Sequence, residues 1–194
     1  MEQARAAEVV WYATGRFYAT NAKPPVQPKL LDVGYLLHLQ GVTEPLFDGA
    51  ISEASALLTF AAEPFVAPAI VNGCLNIGID ARGVFRLFLR ERGGATFDDP
   101  ETFGQGRCIG TFERIAIVPT VKVGITATET LLSNVFTARL TSSEPFRLGG
   151  TAYDLRELVG FGVTQWGTAA TEPIAPPDGY SSVVPFLGSA IRVG

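Results

Sequence analysis

His38 is the single histidine in 194 residues, and that narrows the chemistry first. Cupin-like metal sites, facial triads and zincin helices each need two or more histidines, so no metal and no cofactor are expected. His38 itself, with a reference pKa near neutrality, can serve as a general base or proton donor. It shares a strand face with Gln40 two residues on, and the pair could orient a polar group of a ligand. A second cluster is Asn72, Cys74 and Asn76, amides flanking a thiol in a segment otherwise rich in Leu, Ile and Val. The candidate catalytic set is therefore His38, Asn72 and Asn76, supplying proton transfer or hydrogen bonds. Tyr35, Gln40, Cys74, Arg107, Phe112 and Trp166 are the candidate ligand contacts. A nucleophilic Cys–His pair would require Cys74 or Cys108 to meet His38 in space. There is no G-x-S-x-G elbow, no P-loop and no dinucleotide fingerprint; the glycine pairs of 104–106 and 160–162 read as turns or bulges.

Charge excludes further classes. Nineteen acids against 15 bases give a net charge of -4. Nucleic-acid binding needs a basic face that can displace counterions, and none is expected here. Arg82, Arg86, Arg90 and Arg92 come nearest, but Asp80 and Glu91 interrupt them. They read as a solvated strand face, with an anion or partner patch as the alternative. No run approaches the ~20 apolar residues of a spanning helix, and no membrane partner is expected. The N-terminus lacks the pattern of a secretory signal, so a cytoplasmic location is expected. Two cysteines are too few for a disulfide scaffold and read as free thiols.

The elements that must position these residues are strands. Apolar residues make up 47 % of the chain and charged residues only 18 %, with 21 Gly and 13 Pro. Aromatic and β-branched runs at 9–18, 31–40, 70–80, 84–92, 107–118, 134–141 and 161–167 predict strands, with a last one near 182–187. Residues 51–62 fit a strand or a short helix, and the proline-rich 21–29 is a linker. Asp99 before Pro100 predicts a capped helical turn. Thr126 with Glu129, and Thr151 with Asp154, have capping-box spacing. One all-β domain of residues 1–194 is expected, with 1–8 as a flexible arm. About eight to ten short strands favour a single antiparallel β-barrel, because closure removes edges that this lysine-poor chain does not protect with charge. A β-sandwich is the alternative.

No family motif is present, yet the outline resembles small lipophile-binding barrels of the lipocalin and allene-oxide-cyclase kind. The resemblance is one of architecture, and it implies binding of a small, largely apolar molecule inside the barrel, with cyclase or isomerase activity as an extension. Two other readings stand beside it. One is a non-catalytic structural protein whose excess apolar surface covers an interface in a homo-oligomer. The other is a carbohydrate-binding sandwich that stacks sugars on Trp166 with Gln165 or Asp178.

Overall fold

The computed structural model describes residues 8–64, 66, 69–73, 75–78, 83–115, 118–124, 130–170 and 174–193. Eight strands close into an antiparallel barrel: β1 (Val9–Thr20), β2 (Leu30–Leu39), β3 (Leu58–Ala62), β6 (Val84–Leu89), β7 (Arg107–Arg114), β9 (Thr130–Ser143), β12 (Gly162–Ala170) and β13 (Tyr180–Val193). They neighbour one another in that order, and β13 returns to β1. The pairing of β9 with β12, from Gly162 against Arg139 to Ala170 against Leu131, completes the ring. A sandwich is thereby set aside.

Three short strands, β4 (Ala69–Asn72), β5 (Leu75–Gly78) and β8 (Val118–Gly124), form a flap outside the closed ring. Its origin lies in the 14 residues of β9. The second half of that strand pairs with β7, and its first half pairs on the same edge with β8. The expected strand over 70–80 is in fact the hairpin β4–β5. Gly73, at φ 62°, turns the chain there, a conformation that L side chains rarely adopt.

The upper end of the barrel is where Val9, Leu39, Leu89, Arg107 and Val193 lie; Thr20, Leu30, Val84 and Arg114 mark the lower end. Leu46, Phe146, Leu148, Leu155 and Val159 plug the upper end. They come from the 40–48 segment, the hairpin of β10 (Phe146–Leu148) with β11 (Thr151–Tyr153), and the one-turn helix α1 (Leu155–Val159). The cap of α1 is Asp154, whose carboxylate accepts the Arg156 amide at 2.8 Å. The box expected from Thr151 to Asp154 is therefore not formed, because Thr151 is taken into β11 and its hydroxyl donates to Glu44. The Asp99 cap does form, over a 3₁₀ turn at Pro100–Gly104. Residues 51–62 split into a 3₁₀ turn at Glu53–Ser55 and the strand β3. The Thr126–Glu129 pair lies outside the described residues.

Strand alternation sends apolar side chains to both faces of β1 and β2, and the outer face is covered along its lower part. Inward go Trp11, Ala13, Leu36, Phe60, Phe85, Leu87, Phe112, Phe136 and Phe186. Phe85 and Phe112 stack at 4.8 Å, and Trp11 meets Phe112 edge-on at 5.7 Å. Outward go Tyr18, Leu31, Val33 and Tyr35, which pack beneath Ala56, Ala95 and Phe103. Residues 90–106 are pinned over this outer layer by two bonds to carbonyls. The Tyr18 hydroxyl donates to Phe97 at 2.9 Å, and Thr59 Oγ1 donates to Phe103 at 2.7 Å. Gly15 and Gly34 face each other on β1 and β2, where the rings of Phe186 and Phe60 lie over them. A small barrel that holds large rings needs such small residues opposite them.

Candidate functional site

Among the described residues, Asp32 and Arg114 are the two charged groups that are buried. β2 carries Asp32 inward between Leu31 and Val33, which face the outer layer. β7 carries Arg114 two residues beyond Phe112, on the same strand face. Arg114 Nη2 donates to Asp32 Oδ2 at 3.0 Å. The guanidinium also lies over the rings of Phe136 at 4.9 Å and Phe85 at 5.9 Å, a cation–π arrangement that offsets part of its lost hydration.

Desolvation dominates this pair. Burial pushes the Asp32 carboxyl up to about 6, although Arg114 pulls it the other way. Burial likewise lowers the affinity of Arg114 for its proton, against the pull of Asp32. Asp32 Oδ1 accepts no hydrogen bond among the described residues. An acceptor buried without a donor is costly, and native structures keep few of them. Beside it lies a void of about 20 Å³, lined by Trp11, Ala13, Leu36, Phe60, Phe136 and Gln165 as well as Asp32. That volume admits about one water. The indole Nε1 of Trp11 donates to Gln165 Oε1 at 3.2 Å and sets the amide's orientation.

A larger space opens at the lower mouth. Phe17, Leu30, Leu132, Ala169 and Val184 line an apolar recess of about 210 Å³, with Asn134 on its rim. Phe17 is the strand partner of Asp32, so recess and void are neighbours across one rung of the ladder. The Phe17 ring rests on Phe186 at 4.5 Å. The barrel is thus closed around buried aromatic clusters, and the Asp32–Arg114 pair lies among them.

The residues singled out from the sequence fall elsewhere for the most part. His38 is exposed on the outer surface, where it pairs with Tyr12 and contacts Gln40 Oε1 at 3.3 Å. The reason is a bulge. Ala13 faces Leu36 and Tyr12 faces His38, so Leu37 is an extra residue that reverses the alternation. Gln40 is likewise exposed. Tyr35 sits in the outer layer against Phe47 and Phe97. Asn72 is exposed in the flap, pairing with Leu75, while His38 is at the upper end of β2; the two are not brought together. Asn76 pairs with Val71 in the flap, and Cys74 lies outside the described residues. Cys108 is a half-buried free thiol. Arg107 is exposed at the upper rim, donating to the Pro145 carbonyl at 3.2 Å. Phe112 is in the barrel interior, fully buried. Trp166 is on the outer surface, whereas its neighbour Gln165 turns inward, so they form no common sugar platform.

Asp32, Arg114 and Gln165 were not singled out as a site. A signal for Asp32 exists: a carboxylate in an otherwise apolar strand, on the same parity as Gly34 and Leu36. No group of three or more His, Cys, Asp or Glu among the described residues could hold a metal ion. None of the described helices is long and apolar enough to cross a membrane. Compared with known proteins, the chain matches no family model, no curated protein and no solved structure.

Proposed function

We propose that the barrel binds a small, largely apolar molecule through its lower mouth and orients a polar group of that molecule on Asp32 and Arg114. The observation that carries this reading is the buried pair itself, set among aromatic rings, with one carboxylate oxygen that accepts from no donor among the described residues. A hydroxyl or protonated acid on the ligand would satisfy that oxygen. Arg114 offers a cation to a carbonyl or to an oxyanion that develops on it. A carboxyl that titrates near neutrality can both give and take a proton at ordinary pH, as a cyclisation or isomerisation requires. Entry from the recess requires the Phe17 ring to turn aside from Phe186. The recess is below the roughly 300–1,000 Å³ of drug-sized sites, so the ligand is small or only partly enclosed.

The test uses Trp11 as reporter. A Trp166→Phe variant leaves Trp11 as the sole indole of the two in the chain. Its emission is followed during titration with ten-carbon alcohols, ketones and alkanes. Saturable quenching that favours the polar-headed probes, and that loses this preference in Asp32→Asn, supports the reading. Failure of every probe to saturate, or equal response to the alkane, refutes it.

A second reading, self-association, is favoured by the outer surface. Register places Val135, Trp166, Ser189, Tyr12 and His38 in one row across β9, β12, β13, β1 and β2, and Val135, Trp166 and Tyr12 are exposed. A second copy of the chain would cover this row. Sedimentation showing a monomer that Trp166→Glu leaves unchanged excludes it.

A further inference from the structure

On the outside of the barrel, the upper ends of β6 and β7 meet the β10–β11 hairpin across an open cleft of about 870 Å³. Arg90, Arg92, Arg107 and Arg147 line it, against Glu91 as the one carboxylate on its wall among the described residues. Asp48 is not on the wall, but its carboxylate accepts the amide of the wall residue Gly93 at 2.7 Å. A chain of net charge -4 thus gathers four of its twelve arginines in one place.

The way these side chains are held matters more than their number. Arg90 Nη1 donates to the Thr102 carbonyl at 2.5 Å, Arg107 Nη1 to the Pro145 carbonyl at 3.2 Å, and Arg147 to the Gly150 carbonyl. A neutral carbonyl fixes a guanidinium without cancelling its charge. Among the described residues none of the four makes an ion pair, whereas Arg86 on the same strand as Leu89 bridges Glu63 at 2.6 Å. Like charges gathered on one wall and held by neutral carbonyls are a preformed anion site. Leu89, Pro145 and Phe146 give it an apolar floor.

The geometry points to a second binding site, independent of the barrel interior, for a small molecule that carries a phosphate or carboxylate on an apolar or aromatic body. The volume falls in the range of small-ligand sites. Guanidinium forks match either oxyanion, and the doubly charged phosphate gains more from several of them.

Calorimetric titration of the full chain at low salt tests this with phenyl phosphate, benzoate, inorganic phosphate and benzyl alcohol. Phenyl phosphate or benzoate should bind with one-to-one saturation and more tightly than inorganic phosphate, and benzyl alcohol should not bind. Arg107→Gln and Arg147→Gln, both at exposed positions, should each weaken binding by about 10-fold, the loss of one charge-assisted contact. Arg86→Gln, which alters net charge equally outside the cleft, should leave it unchanged. Absence of saturation, equal loss in Arg86→Gln, or tighter binding of an oligoglutamate peptide than of any small anion would overturn the assignment.

Discussion

Replacing Asp32 by Asn should stabilise the protein at neutral pH, and the size of the gain follows from the burial of the carboxyl. Its ordinary pKa is 3.8 and its value in the barrel is about 6, because loss of water outweighs the attraction of Arg114. The folded state therefore holds the proton more tightly than the unfolded chain does. Stability from this group is fully present below about pH 4 and is lost as pH rises toward 6. At 1.36 kcal/mol per pKa unit, the loss by pH 7.5 is roughly 3 kcal/mol. Asn is uncharged at every pH and nearly isosteric. At pH 4 it should match the protonated wild type, and at pH 7.5 it should exceed the wild type by roughly 3 kcal/mol, or about 6–12 °C in Tm for a chain of this size. Removing one partner of a buried pair often costs about 3–5 kcal/mol by stranding the other charge. Here the amide oxygen still faces Arg114, and the Phe85 and Phe136 rings still cover it. Urea unfolding of both proteins at the two pH values, read by tryptophan emission, is the assay. A variant that is less stable than wild type at pH 7.5, or a difference that does not change with pH, refutes the argument.

Two further perturbations probe the frame around the site. Gly34→Ala would set a Cβ 2.1 Å from the Thr14 carbonyl and 2.6 Å from the Phe60 ring. The strands must separate, so the urea midpoint should fall by the equivalent of about 3 kcal/mol, whereas Gly49→Ala, with 3.6 Å to Ser55, should be near neutral. Tyr18→Phe deletes the hydroxyl that holds the Phe97 carbonyl. It should cost about 1 kcal/mol and speed proteolytic cleavage within residues 91–106, with cleavage at the wild-type rate counting against that anchor.

The barrel was legible because its causes are local. Aromatic and β-branched runs separated by Gly and Pro set the strands, and the shortage of lysine made closed edges the better solution. The site was not, because its causes are non-local. Asp32 looks like an interruption of an apolar strand until Arg114, 82 residues away, is seen to meet it. The opposite error affected His38, whose parity with Leu36 is correct in sequence and is undone by one bulged residue. At 70–80, Gly73 carried the information that the strand turns, yet a lone glycine in a strand also fits a bulge. Arg90 and Arg92 were visible as a cluster, but Arg107 joins them through the pairing of β6 with β7, and Arg147 through the approach of β10 to β7.

The apolar excess of the composition bears directly on how the interior should be read. Had it all pointed inward, a wide cavity would follow, and a polar group there would be one contact among many. The structure divides it instead. Phe60, Phe85, Phe112 and Phe136 fill the barrel, while Tyr18, Val33, Tyr35 and Phe103 build a second layer outside it. Little free volume remains at the centre, and an apolar pair at positions 32 and 114 would pack there without any desolvation cost. A buried ion pair is commonly no more stable than such a replacement. Stability alone therefore gives no reason for a carboxylate and a guanidinium in the one part of the fold where they cost most. The proposed ligand-orienting role supplies one: Asp32 Oδ1 accepts no hydrogen bond among the described residues, and Asp32 lines the void one rung from the mouth.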